Sequence, residues 1–227
     1  MSVRPVLIFG ASRGTGLALA RLLRAGNVPV IAMLRSLEAG PELERRGVRV
    51  GLGDAFSRAD VAAALKLLPP GGHVVSTLGG AATGGTRVDE AGNVNVIDAA
   101  AGMAGRFVLV TAIGCGEMAP FRSERAIAAF GAVVDAKTRA EEHLRRVIPS
   151  ATILRPGGLH QEPATGRAVL STDPEIHGFV TREDLAGLIA GVLGDPGTAG
   201  LAFAAVDAAT ARAPRPLAPF PLRTFPR

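Results

Sequence analysis

The chain has 227 residues, 48% of them hydrophobic and 20% charged, with one cysteine and a formal net charge of +5. That is enough apolar material for one large folded domain, and a lone cysteine excludes an internal disulfide, in keeping with a reducing cytosol. No apolar run approaches the about 20 residues of a membrane helix, no basic-then-apolar leader opens the sequence, and the scattered arginines, with no basic run longer than two residues, argue against nucleic acid.

The first predicted strand, Val6–Phe9, runs straight into Gly10-Ala-Ser-Arg-Gly-Thr-Gly16, and an Ala/Leu-rich stretch with helical spacing continues to Ala25. Further strands are predicted at Val28–Leu34, Val48–Leu52, His73–Thr77, Phe107–Thr111, Thr152–Leu154 and Ala202–Val206. Helices are predicted at Ser57–Leu67, Asp89–Ala104, Ala128–Val147 and Arg182–Leu193. Pro69-Pro70-Gly71-Gly72 stops the second helix, and Thr181 is a fitting N-cap for the last, with Asp184 three residues on. The alternation predicts an α/β protein: a single Rossmann-type, doubly wound parallel sheet with strand order 3-2-1-4-5-6-7. Residues 1–210 form the domain and the Pro-rich stretch 211–227 an extended tail.

Strand, glycine turn and helix in that order make a seat for a pyrophosphate. The glycines let the backbone turn tightly and approach the phosphates, and the helix N-terminus supplies unpaired N–H groups and a positive dipole end. Gly10, Ser12, Arg13, Gly14, Thr15 and Gly16 are therefore expected to bind a dinucleotide; the alternative is a glycine-rich turn with no ligand. The crevice where the strand order reverses lies between the first and fourth strands. It should gather Gly10–Gly16, Ser76–Gly80, Thr111–Cys115 and Pro156–His160, with Leu78, Gly79 and Pro156 against the cofactor.

Arg35 and Ser36 end the second strand with no acid at 34–36, where NAD-specific sites place one for the ribose hydroxyls. With Arg13 they suit a 2′-phosphate, which favours NADP(H) over NAD; otherwise the two arginines are a solvated pair. Asp54 follows the third strand, either facing the cofactor or closing an Asx-turn before Ser57. Thr111 is either a donor to a substrate oxygen or a β-branched strand end. Cys115 reads as an inert small apolar residue. His160, in a glycine-rich loop, has the pKa of a proton donor, or is simply exposed; the four histidines show no metal spacing.

In this order and spacing the segments resemble the short-chain dehydrogenase/reductase superfamily over roughly residues 4–207, and within it the NAD(P)H-binding, NmrA-like branch that includes flavin/biliverdin reductase. The carriers are Gly10–Gly16, Leu34-Arg35-Ser36, Gly53-Asp54, Ser76-Thr77-Leu78-Gly79, Val110-Thr111-Ala112-Ile113-Gly114, Ala136-Lys137-Thr-Arg-Ala-Glu141, Leu154-Arg155-Pro156-Gly157 and Thr181-Arg182-Glu183-Asp184-Leu185-Ala186. The resemblance implies that Asp54 accepts from the adenine amine and that Lys137 bonds the nicotinamide ribose. It breaks at the superfamily's usual Tyr, four residues before the Lys: position 133 is Val, and the chain has no tyrosine. Without that acid an isolated carbonyl is a poor hydride acceptor, so a conjugated acceptor such as a quinone, flavin or enone is expected, with water, His160 or Thr111 supplying the proton. The expectation is a cytoplasmic NADPH-dependent reductase of a small molecule, monomeric or homodimeric. Its rivals are a non-enzymatic NADP(H) sensor and an NAD(P)-dependent isomerase.

Overall fold

A computed structural model describes residues 4–80 and 85–222. Eight strands form one sheet in the order β3-β2-β1-β4-β5-β6-β10-β8. Its parallel part consists of β1 (Val6–Phe9), β2 (Val30–Leu34), β3 (Arg49–Leu52), β4 (His73–Ser76), β5 (Arg106–Val110), β6 (Thr152–Pro156) and β10 (Ala202–Asp207). This is the expected order, with β10 as the seventh predicted strand. β8 (Ala168–Ser171) adds an antiparallel strand beyond it. Two three-residue strands, β7 (Gly158–His160) and β9 (Phe179–Thr181), pair separately as a small parallel ribbon.

The sheet is apolar on both faces because helices cover both. Val6 and Ile8 of β1 join the cluster formed with α1 (Gly14–Ala25) and α6 (Arg182–Gly194), while Leu7 and Phe9 join the opposite cluster. The second cluster is closed by α3 (Arg58–Lys66), α4 (Ala91–Ala100) and α5 (Glu124–Val147). The alternation that puts successive residues on opposite faces repeats in β5, where Val108 and Val110 face one way and Phe107 and Leu109 the other. A further short helix, α2 (Gly40–Arg45), was not expected; Pro41 at its start fits the first helical turn, where no N–H partner is needed.

Helix α5 begins four residues before its predicted start, because Ser123 caps it by accepting from the Ala126 amide at 3.2 Å. Its first two turns carry Ile127 and Phe130 on the surface. The Pro-rich C-terminal segment forms no helix over its described residues. It is also packed: Phe220 lies against Phe203 with ring centroids 4.7 Å apart, and its amide donates to Leu170 at 2.7 Å. Residues 81–84, after Gly80, lie outside the described residues, as do residues 223–227 of the predicted tail.

Candidate active site

Above the C-terminal ends of β1, β2, β4, β5 and β6 lies a cleft of about 760 Å³. Gly10, Ser12, Arg13, Gly14, Thr15, Gly16, Arg35, Ser36, Asp54, Leu78, Gly79, Thr111, Lys137 and Pro156 all line it. His160 does not line the cleft. It stands on the exposed face of the β7–β9 ribbon, edge-on to the Phe179 ring at 4.7 Å and 3.3 Å from Glu162. Its neighbour Leu159 is the ribbon residue that reaches the cleft.

The glycine turn fits an approaching phosphate chain. A Cβ on Gly16 would sit 2.2 Å from the Gly10 carbonyl oxygen, and one on Gly10 would sit 2.7 Å from Thr77 Oγ1. No side chain can stand there without moving backbone. The first turn of α1 carries no acidic residue, which leaves its positive end open to an anion. Two buried polar atoms at this turn have no hydrogen-bond partner among the described residues, Thr15 Oγ1 and Arg182 Nη1. Orphaned donors are rare in a folded interior; both belong to residues that line the cleft.

Toward β3 the cleft is open. Arg13, Arg35 and Ser36 are exposed. Asp54 accepts from the Phe56 amide at 2.9 Å through Oδ1, so the Asx-turn is formed, and its Oδ2 has no partner among the described residues. The Asx-turn reading of Asp54 thus holds through Oδ1, and Oδ2 is left without a donor among the described residues.

Toward β5 and β6 the cleft is closed by buried charge. Lys137 Nζ pairs with Asp89 Oδ1 at 2.9 Å; the Asp89 side chain is wholly buried and also accepts from the Gly80 amide at 3.3 Å. A Cβ on Gly79 would meet Asp89 at 3.1 Å and Lys137 at 3.2 Å, so a larger residue there would press on this pair. Thr111 donates its hydroxyl to Glu141 Oε1 at 2.6 Å. Glu141 is 1% exposed and paired with Arg155, whose Nη2 lies 2.6 Å from Oε2; Arg155 also reaches Glu117 at the surface. Burial alone would lower the Arg155 pKa, but its bonds to Glu141 and Glu117 outweigh that and raise it. The Thr111 proton is thus committed to Glu141, leaving the hydroxyl oxygen to the cleft as an acceptor.

Cys115 is buried, and its thiol pKa is pushed up to about 11, chiefly by burial and then by the Glu141 carboxylate. A thiol so placed is not a nucleophile at neutral pH. Asp89 and Arg182 are site residues that sequence reasoning passed over: each stood as a predicted helix start, Arg182 also as part of a motif. Among the described residues no group of His, Cys, Asp or Glu could hold a metal, and no helix is long and apolar enough to cross a membrane.

Residues 10–196 match the family described as NAD(P)H-binding. The chain belongs to that family. A relative from Bacillus subtilis (strain 168) called "Uncharacterized sugar epimerase YhfK" is 32% identical over 206 residues, 87% of this chain and 92% of the relative. Among solved structures, ChuY from Escherichia coli O157:H7, described as an anaerobilin reductase, is 39% identical with a TM-score of 0.82, over 89% of this chain and 97% of that one. A putative NAD-dependent epimerase/dehydratase from Bacillus halodurans is 28% identical with a TM-score of 0.77, over 90% and 94% of the two chains. This family member is thus of the atypical short-chain dehydrogenase/reductase, NmrA-like branch, with the fold of an NAD(P)H-dependent reductase.

Proposed function

We propose that the protein transfers hydride from NADPH to a planar, extensively conjugated acceptor, of which a linear tetrapyrrole is the leading class. The observation that carries this is the absence of a free acid at the β5–β6 end of the cleft. Among the described lining residues there, Lys137 is held by Asp89 and the Thr111 proton by Glu141. The bound cofactor supplies the hydride; the protein supplies orientation and charge.

Pro156, Leu159 and Val110 give the acceptor an apolar wall, and the Thr111 oxygen and Lys137 give the nicotinamide riboside an acceptor and a donor. Arg13, Arg35 and Ser36 are the groups for a 2′-phosphate, Asp54 Oδ2 for the adenine amine. An acceptor that spreads the incoming charge over a conjugated system needs no acid at contact distance, and water completes the reduction by giving the proton. The anaerobilin reductase activity attributed to ChuY supports this class. The setting we infer is cytosolic and the partner a small molecule rather than nucleic acid or membrane.

The name given to YhfK raises a second reading, a sugar epimerase. That chemistry takes a proton from a carbinol hydroxyl and a hydride from its carbon, and among the described residues the cleft offers no unpaired base beside Lys137 for the proton. The deciding experiment is NADPH oxidation across a panel containing linear tetrapyrroles, quinones, flavins and saturated ketones. Turnover confined to the conjugated members is expected. Fast reduction of a saturated ketone would overturn the reading, and tight NADPH binding with no oxidation anywhere would make the protein a sensor of the cofactor.

A further inference from the structure

Arg182 is the first residue of α6, capped by Thr181, whose hydroxyl accepts from the Asp184 amide. Its side chain lies across the glycine turn: a Cβ on Gly14 would be 3.4 Å from Arg182 Nε and 3.5 Å from Cδ. Nη1 is buried with no partner. The acids beside it in sequence are engaged by another loop, Glu183 accepting from the Ala164 amide at 3.0 Å, and Asp184 from the Thr165 amide at 2.7 Å and the Gly166 amide at 3.0 Å. The guanidinium therefore stands at the positive end of its own helix and beside the positive end of α1, with no counter-ion among the described residues. Thr15, 6% exposed, presents a second unsatisfied hydroxyl at the same turn.

A cation and two positive helix ends stand together with no anion among the described residues, beside a hydroxyl that has no partner. All of them line the cleft, and the packing of α6 against α1 fixes the spacing. We propose that Arg182 is a ligand of the cofactor's pyrophosphate, held over the glycine turn from α6, with the Thr15 hydroxyl donating to the same group. Because the pyrophosphate is common to both nicotinamide dinucleotides, Arg182 reads the cofactor without distinguishing NADPH from NADH. That sets it apart from Arg13 and Arg35, and the inference does not depend on the acceptor.

The test is binding of NADPH and of NADH to Arg182→Leu, together with the melting temperature of the ligand-free protein. Losing a charge-assisted bond should weaken both dinucleotides alike, by about 10–100-fold. The ligand-free protein should melt at the same temperature or higher, since a half-buried cation without a counter-ion among the described residues is removed. Inorganic pyrophosphate should stabilise the wild type and not the variant. Unchanged dinucleotide affinity overturns the proposal, including the case where only the KM for the acceptor rises, which would give the cation to the substrate. Weaker binding with a lowered ligand-free melting temperature also overturns it, since Arg182 would then be a structural prop. If Arg182→Leu does not fold, Arg182→Lys decides: the single point charge should retain part of the affinity for both dinucleotides, and an affinity equal to wild type overturns the proposal.

Discussion

At the β1–β3 end of the cleft Arg13, Arg35 and Ser36 are exposed and make no side-chain hydrogen bond or ion pair with any described residue, whereas at the β5–β6 end Asp89, Glu141 and Arg155 are almost wholly buried and each is matched by an opposite charge. The exposed end is built from backbone: a turn of glycines and a helix terminus, with side chains that can rearrange around whatever is bound. The buried end is built from side chains that hold one another and cannot move singly. A site of this kind selects its cofactor at little cost to the fold, while its chemistry end is welded to the core. Removing charge should therefore affect binding at one end and stability at the other.

The largest effect expected is at the buried end. Glu141→Ala leaves Arg155 with only the surface carboxylate of Glu117 and frees the Thr111 hydroxyl; it should cost about 3 kcal/mol of unfolding free energy in urea titration, the lower end for a broken buried pair. A loss below about 1 kcal/mol would mean that solvent reaches the pair and the contrast between the two ends fails. Next is the turn itself. Gly16→Ala, with its Cβ aimed at the Gly10 carbonyl oxygen, should cost about 1–3 kcal/mol of stability through overpacking and abolish detectable NADPH binding, read by calorimetry. Gly14→Ala meets only the Arg182 side chain at ordinary contact distance but sits at φ +59°; it should lose about 1 kcal/mol and retain measurable binding. Equal damage from both would show that strain rather than backbone approach rules the turn.

At the exposed end, Arg35→Ala should leave the melting temperature in place and shrink the preference for NADPH over NADH by about 1–3 kcal/mol. Equal affinities for the two cofactors in the unaltered protein would remove the premise. The smallest effect is expected at His160. Because it faces away from the cleft toward Phe179 and Glu162, His160→Ala should change turnover by less than about threefold, well short of the ~10²-fold attached to a general acid. A hundredfold loss would mean that the β7–β9 ribbon turns inward on binding.

The exposed end was legible in the sequence because its signals are local: three glycines within seven residues, an arginine at a strand end, and periodicities that mark where each strand stops. The buried end was not, because its partners meet only through the fold. Thr111 and Glu141 are 30 residues apart, and Glu141 and Arg155 are 14. Lys137 was singled out, but nothing near it in sequence points to Asp89 as its counter-ion. The β7 and β9 strands, three residues each and preceded by Gly157 and Gly178, are too short for alternation to register. Helix α2 spans six residues, under two turns, and left no periodic trace. His160 misled for a related reason: its pKa class was readable, but the direction it faces depends on a ribbon that was not.

The packed C-terminal segment has a consequence for how the sheet meets its surroundings. β8 is an outermost strand, and an outermost strand offers unpaired amides and carbonyls to any other chain. The Phe220 amide occupies the Leu170 carbonyl of that strand, its ring shields Phe203, and Leu222 lies so close over Gly191 that a Cβ there would be 2.5 Å from it. Proline on both sides of Phe220, at 219 and 221, removes two further donors. The segment thus blunts the rim it covers while being unable to propagate strand pairing itself, so clipping it in a protease-rich extract should show first as aggregation rather than as lost cofactor binding.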